Sequence, residues 1–161
     1  MSALTVDQIW LALQEVKDPE IPVISVVKLG IVRDVRVEAE CVSVIITPTF
    51  SGCPALQTMQ ERIHTQLLEM GAREVDVQVT LAPPWSTDWI SSEGKAKLKD
   101  FGLSPPRQHN GNIEVVFHEP VQCPYCDSYN TSIKNNFVST ACRAIHYCNQ
   151  CQQPFEQFKP L

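Results

Sequence analysis

Two cysteine pairs constrain this chain more than any other feature. CPYC contains Cys123 and Cys126, CNQC contains Cys148 and Cys151, and 21 residues separate the pairs. Each pair is a CxxC knuckle, and two knuckles can surround one zinc ion tetrahedrally through four thiolates. The spacing predicts a zinc ribbon in which metal binding contributes much of the folding free energy. The intervening DSYNTSIKNNFVSTACRAIHY is long enough for two short strands. Iron, as one ion or as a cluster, suits the same thiolates. The competing reading is a pair of unrelated redox motifs, which two knuckles in so short a stretch disfavour. Cys142, between the pairs, reads as a small buried residue, with an alternative ligand or a redox switch as the other reading. His146 becomes a ligand only if the centre rearranges. Phe155 and Phe158 are expected to cover the module or to dock it on the first domain. His109 and His118 are not spaced for a second site and read as surface histidines.

Five of the seven cysteines fall between residues 123 and 151, a clustering that favours metal binding over a disulfide framework. The start, MSALTVDQIW, lacks the basic and apolar pattern of a signal peptide. No segment approaches the roughly 20 apolar residues that span a bilayer. A cytoplasmic protein with reduced thiols is therefore expected. The formal charge is −5, with six Lys/Arg against eleven Asp/Glu in residues 1–87. That balance argues against nucleic-acid binding, which needs a basic surface. Hydrophobic residues make up 43% of the 161, enough for a packed core.

Periodicity organises the rest. Val6, Ile9, Leu13 and Val16 share a helical face, Thr5 is a candidate N-cap, and the DPE turn from Asp18 ends the helix. Val35 and Val37, then Val42, Val44 and Ile46, alternate with polar neighbours and predict a hairpin around EAE. Leu56, Met59, Ile63, Leu67 and Met70 follow the helical period, with Gly71 at C′. EVDVQVTLAP predicts a third strand, and STDWISSEGKAKLKDFG a short amphipathic helix capped by Ser86 or Asp88. The expected fold is α/β (α+β): a small sheet with helices over residues 1–104, a linker over 105–112, and a cysteine-rich ribbon over 113–161.

TPTFSGCPALQ holds the isolated Cys53. Pro54 at N1 of the helix would make Cys53 the N-cap, where unpaired N–H groups and the helix dipole favour the thiolate. Gly52 permits the turn without a side-chain clash. Thr47, Thr49 and Ser51 supply nearby hydroxyls. A nucleophile needs a positioned base, and His64 lies about 16 Å down the helix at about 1.5 Å per residue. A transient metal or cluster ligand and a structural or partner-contacting cap remain the competing readings. Asp18 and Glu20, flanking Pro19, offer either oxygen ligands and contacts to a partner's backbone or simply an acidic helix stop.

The stretches DPEIPVISVVKLGIVRDVRV, TPTFSGCPALQ and LAPPWSTDWISSEGKAKLKDFGLSPP, with the tail CPYC…STACRAIHYCNQCQQPFEQF, resemble the PaaD family of phenylacetate-degradation proteins. The first part is similar to the wider SufT-like iron–sulfur assembly family. The resemblance implies that Asp18 and Glu20 form an acidic turn and that Cys53 is the characteristic cysteine, in one loop with Thr49, Ser51 and Gly52. It implies zinc on Cys123, Cys126, Cys148 and Cys151, and iron or an iron–sulfur cluster as a further cofactor. It implies an accessory or maturation factor for the multicomponent phenylacetyl-CoA ring epoxidase, without independent catalytic activity. The implied partners are its oxygenase or reductase subunits and iron–sulfur assembly proteins, and a homo-oligomer is compatible. A non-catalytic structural subunit is the alternative, and a thiol enzyme a third reading. Two departures stand out. Pro160 occupies the place of a terminal cysteine in the family's FKC stretch, and Val138 replaces a glycine in FVSTAC.

Overall fold

Thr5 opens the first helix with a reciprocal capping box. Its Oγ1 accepts from the Gln8 amide at 3.3 Å, and its own amide donates to Gln8 Oε1 at 3.0 Å, which satisfies two otherwise orphan donors. In this computed structural model, which describes residues 3–136, 138 and 140–161, the helix α1 spans Val6–Leu13. It buries Ile9 and Leu13 completely. Each such side chain contributes about 1.5–3 kcal/mol of transfer free energy. Val16 follows α1 and is buried beyond its end. Phe137 and Ser139 of FVSTAC lie outside the described residues.

The chain divides into two units, Met1–Trp85 and Ser86–Leu161. In the first, β1 (Val32–Glu38) and β2 (Cys41–Ile46) pair antiparallel across a two-residue turn whose Ala39 takes φ 57°. The helix α2 (Leu56–Glu69) then carries the chain to β3 (Glu74–Val79), which pairs parallel to β2. A parallel neighbour requires such a crossover, so the sheet order is β1-β2-β3. Val42, Val44 and Ile46 of β2 are buried, as are Met59, Ile63 and Leu67 of α2. These are residues whose period predicts a strand and a helix. Gly71 ends α2 with φ +100°, a backbone conformation that favours glycine. Trp85 closes the unit by donating its ring N–H to the Leu29 carbonyl at 3.1 Å.

The second unit opens with a 3₁₀ turn at Thr87–Trp89, capped by Ser86. The helix α3 (Ser92–Asp100) follows, capped by Ser91, so the helix expected from STDWISSEGKAKLKDFG is two elements. Next come β4 (Leu103–Ser104), α4 (Ile113–Phe117), β5 (Thr131–Asn135), β6 (Arg143–Cys148) and β7 (Pro154–Phe158). Their sheet order is β4-β7-β6-β5. The predicted pair of strands between the knuckles is β5 and β6. Phe155 and Phe158 belong to a further strand, β7, and both are buried.

The boundary expected near residue 104 falls instead at Trp85/Ser86. β4 pairs parallel with β7 through Leu103↔Glu156 and Ser104↔Gln157, which assigns α3 and β4 to the ribbon's unit. Residues 105–112 are likewise not a free linker. The amides of His109 and Asn110 donate to Asp88 at 2.9 and 2.8 Å.

Candidate metal centre and the Cys53 loop

Both knuckles use the same backbone device. Asp127, four residues after Cys123, takes φ 61°, and Gln152, four residues after Cys148, takes φ 59°. The Cys123 amide donates to the Ser128 carbonyl, and the Cys148 amide to the Gln153 carbonyl, each at 2.9 Å. These turns aim the cysteines inward. The Sγ atoms of Cys123, Cys126, Cys148 and Cys151 all lie within 4.8 Å of one another. Across the knuckles, Cys123 and Cys151 approach to 3.7 Å and Cys126 and Cys148 to 3.5 Å. A tetrahedron with Zn–S bonds of about 2.3 Å has sulfur–sulfur edges of about 3.8 Å. The donor set therefore fits one zinc ion in number, chemistry and spacing, and the expected ligand set is brought together.

The neighbourhood of the thiols prepares them unequally. The Cys151 amide donates to Cys148 Sγ at 3.5 Å, and this donation is the leading cause that draws the Cys148 thiol down to about 7. Burial and the neighbouring sulfurs push Cys151 up to about 12. Four thiolates this close need a cation between them, and a bound dication stabilises all four. Beneath the site Cys123, Cys148 and Phe155 form a buried cluster with Val121 and Cys151 packed on it.

Cys142 and His146 stand outside the ligand set. Cys142 is buried, and its thiol points to Thr140 Oγ1 at 3.6 Å, in agreement with a packed cysteine. His146 pairs with Gln157 Oε1 at 2.9 Å and stacks on Phe155 with ring centroids 5.5 Å apart. His118 is exposed, but His109 is not a surface residue. It is 7% exposed, its Nε2 contacts the Leu161 backbone oxygen at 3.0 Å, and its Nδ1 accepts from the Gly111 amide. Its partners include Leu161, 52 positions away, and Ser86, 23 positions away, and no local spacing signals either contact. Pro160, at the place of the family's terminal cysteine, is buried.

Cys53 lies in the β2–α2 connection, at the carboxyl end of β2. Loops at that end of parallel strands commonly form binding sites. It is not the N-cap. The helix starts at Leu56 with Ala55 as N-cap, and a separate turn precedes it, closed by the Leu56 amide on the Cys53 carbonyl at 3.2 Å. The expected thiolate character is reversed too. Burial pushes the half-buried Cys53 thiol above the ordinary 9.0, and the carboxylates of Asp18 and Glu20 add to the rise. Hydrogen bonds involving Ala55 and Thr49 oppose it.

The hairpin thus brings the acidic turn within electrostatic reach of Cys53. Asp18 is 6% exposed, and its Oδ1 accepts from the amides of Glu20 and Ile21 at 2.8 and 2.9 Å. It is a turn-holding carboxylate that also contributes to the rise of the Cys53 thiol. Arg62 of α2 donates to the Lys17 carbonyl at 3.1 Å and ties the acidic turn to the helix that follows Cys53. Ser51 and Gly52 are exposed. Gly52 does not need its lack of a side chain, because a Cβ there would meet only the Phe50 ring, at 3.5 Å. Thr47 is buried and its hydroxyl has no hydrogen-bond partner among the described residues. His64 is exposed on α2.

Among the described residues, no helix is long and apolar enough to cross a membrane. Residues 6–81 match an iron–sulfur cluster assembly protein family, and residues 111–159 match the PaaD zinc beta ribbon domain. A protein of Escherichia coli K12, named as a candidate component of 1,2-phenylacetyl-CoA epoxidase, is 38% identical over 154 residues, which are 96% of this chain and 92% of that protein. An Fe–S protein maturation auxiliary factor of Porphyromonas gingivalis is 34% identical over 96 residues, 58% of this chain and 90% of its own length. The solved structure of a conserved hypothetical protein from Thermotoga maritima has 30% identity and a TM-score of 0.53, and covers 61% of this chain and 98% of that one. With 38% identity along nearly the whole of both polypeptides and both domain matches in one order, the chain belongs to the PaaD-like proteins, in which an iron–sulfur assembly domain precedes a zinc ribbon.

Proposed function

We propose that this protein is an accessory maturation factor of aerobic phenylacetate degradation, assisting assembly of the iron or iron–sulfur centres of a phenylacetyl-CoA epoxidase. The observation that carries this reading is the joining of the two domains in one chain. The first matches an iron–sulfur assembly family, and the full-length relative is named for the epoxidase.

In this reading Cys53 contacts the cargo or the client. Its neutral thiol, at the carboxyl end of β2 with Asp18 and Glu20 in electrostatic reach, loses a proton when a thiophilic metal binds, because the ligand is the thiolate. Thr49, Ser51 and Gly52, from the same loop, are its supporting or client-contact residues in this reading. The ribbon zinc, when bound, supplies structure, and its four cysteines present a docking module. Clients are the oxygenase or reductase subunits, and iron–sulfur assembly proteins are the donors. The test is to produce the epoxidase subunits anaerobically with wild type or with Cys53→Ser, then measure iron and labile sulfide in the purified reductase and oxygenase. The reading expects depleted centres with the variant, and equal occupancy overturns it.

A second reading makes the protein a non-catalytic structural component of the epoxidase, and the relative's name as a part of that enzyme favours it. It expects stoichiometric copurification with fully loaded oxygenase, whereas maturation expects transient contact with metal-deficient client.

A further inference from the structure

Residues 82–110 lie outside both domain matches, yet residues 86–110 are tied to the ribbon at both ends. One set of ties ends on the first knuckle. Lys99 of α3 pairs with Asp127, the residue directly after Cys126. Ser104 Oγ donates to the carbonyl of Gln122, directly before Cys123, at 2.7 Å. The Tyr125 hydroxyl, from the middle of CPYC, stands 3.0 Å from where a Cβ at Gly102 would lie. Gly102 takes φ +88° there, so both the backbone and the close ring contact call for glycine. The other set ends on residue 161. The Thr87 amide donates to the Leu161 oxygen at 3.0 Å, and His109 Nε2 meets the same oxygen at 3.0 Å. Asp88 holds the amides of His109 and Asn110. Between the two ends Ile90, Leu98 and Leu103 are buried.

The knuckle under the first set of ties is shaped around its four cysteines. Asp127 holds φ 61°, a left-handed turn that aspartate adopts more readily than most side-chain-bearing residues. Four sulfurs within 4.8 Å stay together as thiolates only around a cation. Removing the cation takes away the platform that Lys99, Gly102 and Ser104 grip.

We propose that residues 86–110 form a metal-responsive strap: ribbon loading locks α3 and β4 onto the first knuckle, and loss of the metal releases them. The strap begins directly after Trp85, where the first unit ends. Its release converts an ordered segment into a flexible tether between the units. The strap does not rest on the maturation reading.

The test is hydrogen exchange by mass spectrometry on the full-length protein. Three samples are compared: zinc-loaded wild type, chelated wild type, and a zinc-loaded Lys99→Met/Ser104→Ala double variant that keeps all four ligands. Metal analysis of each sample reports occupancy independently of exchange. Chelation is expected to speed exchange of residues 92–104 about tenfold or more, with α2 unchanged. The double variant is expected to retain one zinc per chain and protected β6 and β7 while residues 92–104 exchange faster. Two results overturn the proposal: residues 92–104 staying protected after chelation, or the zinc-loaded double variant matching wild type. A failure of epoxidase maturation would leave both exchange results untouched, so the two readings fail separately.

Discussion

The two units solve the same problem by different means. The first closes on aliphatic packing, with Ile9, Leu13, Ile24, Val26, Ile31, Val44, Ile46, Met59, Ile63 and Leu67 completely buried. The second has fewer such side chains. Its buried centre includes Cys123 and Cys148 beside Phe155, so ligand atoms stand where apolar atoms would. A small unit with a limited core usually needs a staple, and a structural metal is one. The difference teaches that one unit carries its stability in its side chains, while the other is built to share it with an ion held by four cysteines. It also separates the roles. Cys53 sits on the unit packed from aliphatic side chains, half-buried in the loop after β2.

The largest expected effect comes from taking away the staple. Cys148→Ser, or a strong chelator, should remove on the order of 10 kcal/mol from the second unit, the scale of structural zinc binding, and leave the first unit folded. Backbone NMR of the whole chain checks this. If α1 and α2 resonances collapse together with β6 and β7, the contrast between the units is wrong.

Next in size is a cavity on the other side of the comparison. Ile63→Ala should cost the first unit about 2–5 kcal/mol without changing metal content. Denaturant unfolding combined with metal analysis measures both, and loss of zinc on this substitution would show that the units are not energetically separate. Thr5→Ala sharpens the scale further. It deletes one half of the capping box and should cost about 1 kcal/mol in the first unit's transition alone.

Cys53→Ser should have the smallest effect on stability, within about 0.5 kcal/mol by chemical denaturation, because the side chain is only half-buried. Its signature lies in reactivity. Burial and the acidic turn raise the thiol above 9.0, so at neutral pH it is protonated and the reactive thiolate is scarce. Alkylation by iodoacetamide, followed by peptide mass spectrometry, should be slower than for an unstructured cysteine and keep rising as pH passes 9.0. A plateau below that value would restore the thiolate-prone loop expected from the N-cap reading.

Particular residues show where local pattern is sufficient. Thr5 caps α1 as its position before VDQI suggests, and the buried stripe of α2 is the one that its period marks. β2 alternates as its valines do. The four cysteines that could hold a metal are legible because CxxC spacing constrains where two sulfurs can point. The departures share a cause. Pro54 points to Cys53 as the N-cap, but an extra turn before Ala55 moves the helix start. Cys53 keeps a backbone hydrogen bond at Ala55, but partial burial outweighs it and raises the proton affinity of the sulfur. His109 reads as a surface residue because its key partner, Leu161, is 52 positions away. β4 is two residues long, too short for any period, and exists only because β7 lies beside it.

The sequence by itself therefore determined the metal-binding set, the main helices and the sheet strands of the first unit, since each follows from spacings of a few residues. Only the tertiary structure decided that the units part at Trp85/Ser86, that Asp18 and Glu20 act on Cys53, and that residues 86–110 grip the first knuckle. Those outcomes depend on pairings such as Lys99 with Asp127 and Thr87 with Leu161. Such contacts are selected by long-range packing and electrostatics, and no local periodicity encodes them.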